Sequence, residues 1–259
     1  MPGNRVMSRQ HLSQTWQKSY DVDNVWFDLN DLFADHIEEV MDKWDGIDDQ
    51  IWGKVIVMEK NCRVAKMFLS KSEMVISNDQ CGFDISGRIG LRGFENKMRD
   101  SETTTVLRTL GKGCSVWMDL GGNIWIKNLS RSLNCSVLEE FSAGGGSQLR
   151  GARKVFDVNR FKSDIRKLRK TGDVRSLAKK TISVVQFGEE REDILDQPLW
   201  VMIINIVALD FMKSKLGLDL KTVGSTAESK AEEEEEEEEA PAGHPISWHG
   251  LHPLDVVNT

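Results

Sequence analysis

Between Ile51 and Val207 short runs of β-branched and aromatic residues alternate with turn-forming pairs, a pattern that leaves few alternatives to a layered β fold. Trp52–Glu59 is followed by Lys60-Asn61, then Cys62–Ser70, then Glu73–Ser77 and the turn pair Asn78-Asp79. Arg88–Phe94 reads as a short strand punctuated by glycine, and Thr103–Leu110, rich in β-branched residues, as another. Cys114–Leu120 and Ile124–Asn128 flank Gly121-Gly122-Asn123, where two glycines permit the positive φ of a tight hairpin turn. Asn134–Leu138, Thr181–Phe187 and the nearly all-apolar Leu199–Val207 complete the strand set.

Helical periodicity marks the flanks. Leu29, Leu32, Phe33, Ile37, Val40, Met41 and Trp44 fall on one face of a helix over 23–44, capped by Asp23 or Asn24 and stopped at Asp45-Gly46. Its polar face carries Asp31, Asp35, Glu38 and Asp42, like charges that oppose an isolated helix, so it requires tertiary packing. Phe161, Ile165 and Leu168 define a basic amphipathic helix ending near Thr171-Gly172, followed by a turn of helix over Val174–Lys180. A last short helix contains Leu209, Phe211, Met212 and Leu216.

A net charge of −7 conceals strong segregation. Residues 21–50 hold eleven carboxylates against Lys43 alone, whereas residues 150–180 hold twelve Lys and Arg against Asp157, Asp164 and Asp173. The acidic helix is expected to dock near this basic stretch. Residues 1–20 read as a flexible arm, and 222–259, with the glutamate run 232–239, as a disordered acidic tail.

Catalytic classes fit the residue inventory poorly. The five histidines are His11, His36, His244, His249 and His252, so a Ser-His-Asp or Cys-His site has no histidine between 37 and 243. His36, beside the apolar stripe, reads as a half-buried helix residue. Cys62, Cys81, Cys114 and Cys135 are too far apart in sequence for a metal clip, and read as reduced and mostly buried. Gly111-Lys112-Gly113 lacks the spacing of a phosphate loop and reads as a turn between strands. Trp52, Trp117, Trp125 and Trp200 read as core. No run of eighteen apolar residues occurs, so membrane insertion is not expected, and no cofactor is expected.

Several of these segments, taken in order, resemble a known family. Leu110-Gly-Lys-Gly-Cys-Ser-Val-Trp-Met-Asp-Leu-Gly-Gly-Asn-Ile-Trp-Ile-Lys-Asn-Leu-Ser-Arg-Ser132 is similar to the Gly-basic-Gly, double-glycine hairpin and Leu-Ser stretch of the Smad C-terminal (second Mad-homology) domain. Trp52 with Cys62-Arg-Val-Ala-Lys-Met-Phe68 resembles that domain's opening strand pair, and Lys154-Val-Phe-Asp with Phe161 the entry to its helical bundle. Pro198-Leu-Trp-Val-Met-Ile-Ile-Asn205, with Leu209 and Phe211, resembles its closing strand and terminal helix. Within the family the match looks nearest to the divergent invertebrate proteins called Expansion. The resemblance implies a mainly β fold with α: a β-sandwich capped by a small helical bundle, of the Smad/FHA-like kind, here over 21–221 with an extra N-terminal amphipathic helix.

It also implies a non-catalytic protein-interaction module, an adaptor or scaffold in signalling or transcriptional regulation, in the cytoplasm or nucleus. Smads receive a phosphoserine on a basic loop before the closing strand, but 186–197 here is mostly acidic and would repel a phosphate. The chain ends without the serine-rich motif and starts without a Smad DNA-binding half. A monomer that binds other proteins, without the phosphoserine trimer switch and without direct DNA contact, is therefore expected. Candidate partner-binding residues are Lys154, Arg160, Lys162, Arg166, Lys167, Arg169 and Lys170 of the basic stretch and Glu189, Glu190 and Arg191 of the acidic loop. The basic stretch lacks the aromatic interleaving of a nucleic-acid site in a chain that is acidic overall, and reads as a site for an acidic or phosphorylated partner or as a solvated helix face partly neutralised by the acidic helix. The alternative is a phosphopeptide-binding module using Arg108 and Lys112, or the 150–180 basics.

Overall fold

A computed structural model describes residues 24–130, 134–138, 147–149, 151–171 and 173–217, without the side chains of 147 and 168–171. The expected flexible arm and acidic tail lie outside the described residues. Helix α1 spans Leu29–Asp42. The strands are β1 (Gly53–Glu59), β2 (Cys62–Leu69), β3 (Glu73–Ser77), β4 (Gly82–Asp84), β5 (Arg88–Gly90), β6 (Cys114–Met118), β7 (Ile124–Asn128), β8 (Cys135–Leu138), β9 (Ser147–Gln148), β10 (Ala152–Phe156), β11 (Ile182–Phe187) and β12 (Leu199–Asn205). The remaining helices are α2 (Ser101–Leu110), α3 (Val158–Thr171), α4 (Val174–Lys179) and α5 (Ile206–Leu216).

Two sheets form the sandwich, one in the order β2-β1-β12-β11-β8-β9, the other β10-β7-β6-β3-β5-β4. Every residue of β1, β11 and β12 is buried. These strands therefore carry the continuous apolar runs of a sheet covered on both faces. The second sheet alternates: Cys114, Val116, Ile124 and Ile126 are fully buried, while Trp117, Trp125 and Lys127 reach solvent. Helices α3, α4 and α5 pack together at the end of the sandwich where β11 begins and β12 finishes. Loop 188–197 joins those two strands at the opposite end, beside α2.

Helix α1 starts at Asp28, not at Asp23 or Asn24, because the Asp28 carboxylate accepts from the amides of Asn30 (2.7 Å) and Asp31 (3.1 Å). Its apolar stripe is covered: Leu32, Phe33, Ile37 and Val40 are buried in the common core. Each contributes about 1.5–3 kcal/mol when fully removed from water. The expected proximity to the basic stretch is met at α4, where the Lys179 ammonium donates to Asn30 Oδ1 at 2.7 Å. Its principal charge partners are elsewhere, on β1 and β2. Glu39 is bridged by Lys54 at 2.8 Å, by Lys66 and Lys43, and by Arg63 at 3.8 Å. The attraction of these cations and their hydrogen bonds outweigh burial and hold the Glu39 carboxyl well below the usual carboxylate range.

His36 is more deeply placed than half-buried, at 1% exposure. Burial first, and then the charges of Lys54 and Arg63, lower its pKa to about 2, so the ring is neutral. Its Nε2 lies 3.4 Å from the Arg63 guanidinium, and Nδ1 has no partner among the described residues.

Thr103–Leu110 is helix, not strand. Asp100 caps it by accepting from the Thr103 amide at 2.8 Å. The β-branched hydroxyls of Thr104, Thr105 and Thr109 donate to carbonyls four residues back, which satisfies them without leaving the helix. Thr103, Leu107 and Leu110 then turn one buried face inward. The Gly-Lys-Gly turn after α2 is required by packing: a Cβ on Gly113 would lie 1.8 Å from the Ile76 carbonyl oxygen. The Gly113 carbonyl accepts from the amides of Leu129 (2.8 Å) and Ser130 (3.1 Å), tying the turn to the Leu-Ser stretch after β7.

Candidate functional site

The β6–β7 hairpin is built around Asp119. Its carboxylate accepts from the Gly121 amide (2.9 Å), the Asn123 amide (3.0 Å) and the Trp125 indole (2.8 Å). Hydrogen bonds from the Asn123 and Trp125 side chains lower its pKa to about 2, so it stays ionised and the turn stays fixed. Trp117 and Trp125 are opposed in register and stack with centroids 6.3 Å apart and planes at 9°. Both are half-buried on the solvent side of the second sheet. Their reading as core is thus corrected: Trp52 and Trp200 are core, whereas these two alternate outward from Val116 and Ile124.

Register carries the row further. Glu73 opposes Trp117, Lys154 opposes Trp125, and the Lys154 ammonium sits 5.4 Å from the Trp125 ring centroid. That ammonium also pairs with Asp157 at 2.8 Å, at the step from β10 into α3. The Val158 amide at the start of α3 donates to Asn123 Oδ1 at 3.0 Å. The hairpin turn, Trp125 and the start of the basic helix are therefore joined by direct contacts.

On α3, Phe161 and Ile165 are buried, while Arg160, Lys162, Arg166 and Lys167 are exposed. Lys162 lies 5.3 Å from the Phe211 ring, and Lys167 pairs with Asp164 at 3.5 Å. The side chains of Arg169 and Lys170 lie outside the described residues. Glu189, Glu190 and Arg191 do not join this face. They are exposed in the loop after β11, at the other end of the sandwich, where Arg191 pairs with Glu102 of α2. Lys60 joins that cluster through Asp100 at 2.5 Å. Six residues of β11 separate the two groups, about 20 Å of strand. Arg108 is exposed on the last turn of α2, and Lys112 is exposed in the following turn. Among the described residues no cluster of three His, Cys, Asp or Glu could hold a metal ion, and no helix is long and apolar enough to cross a membrane.

The profile of the MH2 domain family matches residues 50–206. The chain belongs to the MH2 domain family. Helix α1 lies outside the matched segment and is an addition to it, as the sequence led us to expect. No curated protein sequence matches the chain. Among solved structures, the IAD domain of interferon regulatory factor 9 is similar at 13% identity, over 74% of this chain and 96% of that one, with a TM-score of 0.45. A structure of STAT2 in complex with IRF9 is similar at 12% identity, over 64% of this chain and 98% of that one, with a TM-score of 0.48. The sandwich and the end bundle are those expected of a Smad-type domain, and the MH2 fold is a protein-interaction module.

Proposed function

We propose that this MH2 protein is a non-catalytic adaptor or scaffold in signalling or transcriptional regulation, and that it binds partner proteins through the face formed by the Trp117–Trp125 row, Lys154 and helix α3. The observation that carries this is the stacked tryptophan pair held half-exposed beside Lys154. Leaving two indoles partly in water forgoes burial, and rigid aromatic groups flanked by cations are the usual anchors of protein interfaces. Asp119 and Asp157 interrupt the positive field of this face, which favours a protein over the continuous anionic backbone of DNA.

Loop 188–197 supports the absence of a phosphoserine switch. Glu189, Glu190, Glu192, Asp193 and Asp196 are all exposed there, against Arg191 already paired. A phosphate of charge about −2 would be repelled. The protein is accordingly proposed to be monomeric, with residues 21–221 as its folding unit. Free thiols at Cys62, Cys81, Cys114 and Cys135 suit a reducing compartment, the cytoplasm or nucleus. The test is quantitative affinity capture with the wild-type chain, Trp117→Ala and the double variant Lys162→Glu/Lys167→Glu. A partner lost from both variants, with their melting temperatures unchanged, supports the reading; a partner set that neither variant alters refutes it.

A further inference from the structure

Away from the Trp row, between the 3-10 turn at Leu91–Gly93 and α2, lies an open depression of about 380 Å³ lined by Arg92, Arg99, Thr104, Leu107 and Arg108. Three of its five lining residues are arginines and none is a carboxylate. We propose that this depression is a binding site for a phosphate monoester, distinct both from the α3 face and from loop 188–197. The inference goes beyond the adaptor reading, because it assigns a ligand chemistry to a part of the fold which that reading does not use.

Arg99 is the fixed element. Its Nε donates to both Glu59 oxygens (2.9 and 3.1 Å), and its Nη2 donates to the Phe94 carbonyl and pairs with Glu59 at 2.8 and 2.7 Å. Glu59 is itself buried and also accepts from Asn96 at 2.6 Å. The guanidinium is thus clamped by its Nε and Nη2, and Nη1 takes no part in these bonds. A cation whose rotamer is already set gives up little entropy when an anion arrives.

Arg92 and Arg108 flank it. The backbone of Arg92 is held by its amide donating to the Asp79 carbonyl at 3.1 Å. The next residue, Gly93, lies so close to the 80–82 segment that a Cβ would meet the Gly82 nitrogen at 2.3 Å. Leu107 follows Thr104 by three residues and Arg108 by four, so each neighbours Thr104 on α2, and all three line the depression. Among the described residues neither the Arg92 nor the Arg108 side chain has a carboxylate partner, while Arg88 nearby does, in Asp79. Leu107 is buried at 3% exposure and gives the depression an apolar floor, against which a charge-assisted hydrogen bond is stronger than in open water.

Why a phosphate monoester? Its charge of about −2 and three acceptor oxygens match three guanidinium donors better than a single carboxylate does. A nucleic-acid strand would require a longer basic track than these three arginines provide. The sequence supplied Arg108 but not its companions: Arg92 and Arg99 lie in a segment with no periodic signal. Lys112, paired with Arg108 on sequence grounds, does not line the depression.

The ligand could be a phosphorylated side chain or a free phosphate, and the titration separates them. The full ¹⁵N-labelled chain is titrated with N-acetyl-Gly-phosphoSer-Gly-amide, with the same peptide unphosphorylated, and with inorganic phosphate, at constant ionic strength. We expect saturable shifts of the Arg92, Thr104, Leu107 and Arg108 amides with both phosphate compounds and none with the unphosphorylated peptide. Tighter binding of the phosphopeptide assigns a protein source, and equal or tighter binding of inorganic phosphate a free one. Arg92→Gln and Arg108→Gln, both at exposed positions, should each weaken binding by about tenfold or more, as loss of a charged hydrogen bond does. Absence of saturable shifts at these four amides, equal response to the unphosphorylated peptide, or shifts confined to α3 would overturn the proposal. So would unchanged binding in both variants.

Discussion

Glu39→Gln is the most informative single substitution, because it removes the carboxylate on which the added helix α1 gathers the cations of β1 and β2. Lys54 is the critical partner: its side chain is 1% exposed, its ammonium is 2.8 Å from Glu39, and burial lowers its pKa to about 8 despite that attraction. Removing one partner of a buried ion pair ordinarily costs about 3–5 kcal/mol. Here Lys54 has an escape, since it can release its proton. At pH 7 the neutral amine lies only one pH unit from its pKa, so the loss traceable to Lys54 is capped near 1.4 kcal/mol. Lys43, Arg63 and Lys66, partly exposed, add about 0–1 kcal/mol each. The total is about 2 kcal/mol at pH 7, read from urea unfolding of the full chain. The variant binds fewer protons when folded than the wild type between about pH 6 and 8. Its deficit must therefore narrow as pH rises past 8 and widen as pH falls toward 6. Adding Lys54→Met should recover part of the loss, because no lone charge is then buried. A deficit under about 0.5 kcal/mol at pH 7, or one independent of pH, would refute this account of the pair.

Other perturbations follow from the same contacts. His36 is neutral when folded, with a pKa of about 2, but takes a proton below 6.5 when unfolded. Stability should therefore fall as pH drops below 6.5, by up to about 1.4 kcal/mol per pH unit from this group. His36→Phe should flatten the pH 5–6.5 part of the unfolding curve. Gly113→Ala should prevent soluble folding or cost well above 3 kcal/mol, given its clash with the Ile76 carbonyl, whereas Gly111→Ala, with nothing closer than 3.6 Å, should cost about 1–3 kcal/mol for its positive φ. Phe33→Ala should cost about 3–5 kcal/mol by calorimetry, and Lys167→Glu less than about 0.5 kcal/mol, since one is core and the other projects into water.

Much of this fold was legible because its core strands obey simple patterns. The apolar runs of β11 and β12 and the double-glycine hairpin each state their structure locally. Helix α1 announced itself by its stripe, though it starts later than Asp23 or Asn24 suggest, because the Asp28 carboxylate accepts from the free amides of its first turn. Helix α2 was misread because β-branched residues favour strands on average; what decides here is a cap at Asp100 and threonines that bond back to their own helix. The candidate site was half legible. Basic α3 is a property of local sequence, but the separation of Glu189–Arg191 from it depends on which way β11 runs. The outward Trp117 and Trp125 followed from strict alternation along β6 and β7, a signal outweighed by the general tendency of tryptophan to be buried. Arg92 and Arg99 meet Arg108 only through tertiary packing, which no spacing in the chain encodes.

The most direct test of the interaction face is hydrogen–deuterium exchange of the full chain, free and bound to a partner recovered by the capture experiment. Slowed exchange over 117–127 and 152–167 is expected on binding, with 188–197 unchanged. Protection confined to α2 and loop 188–197, with the Trp row and α3 unaffected, would contradict it.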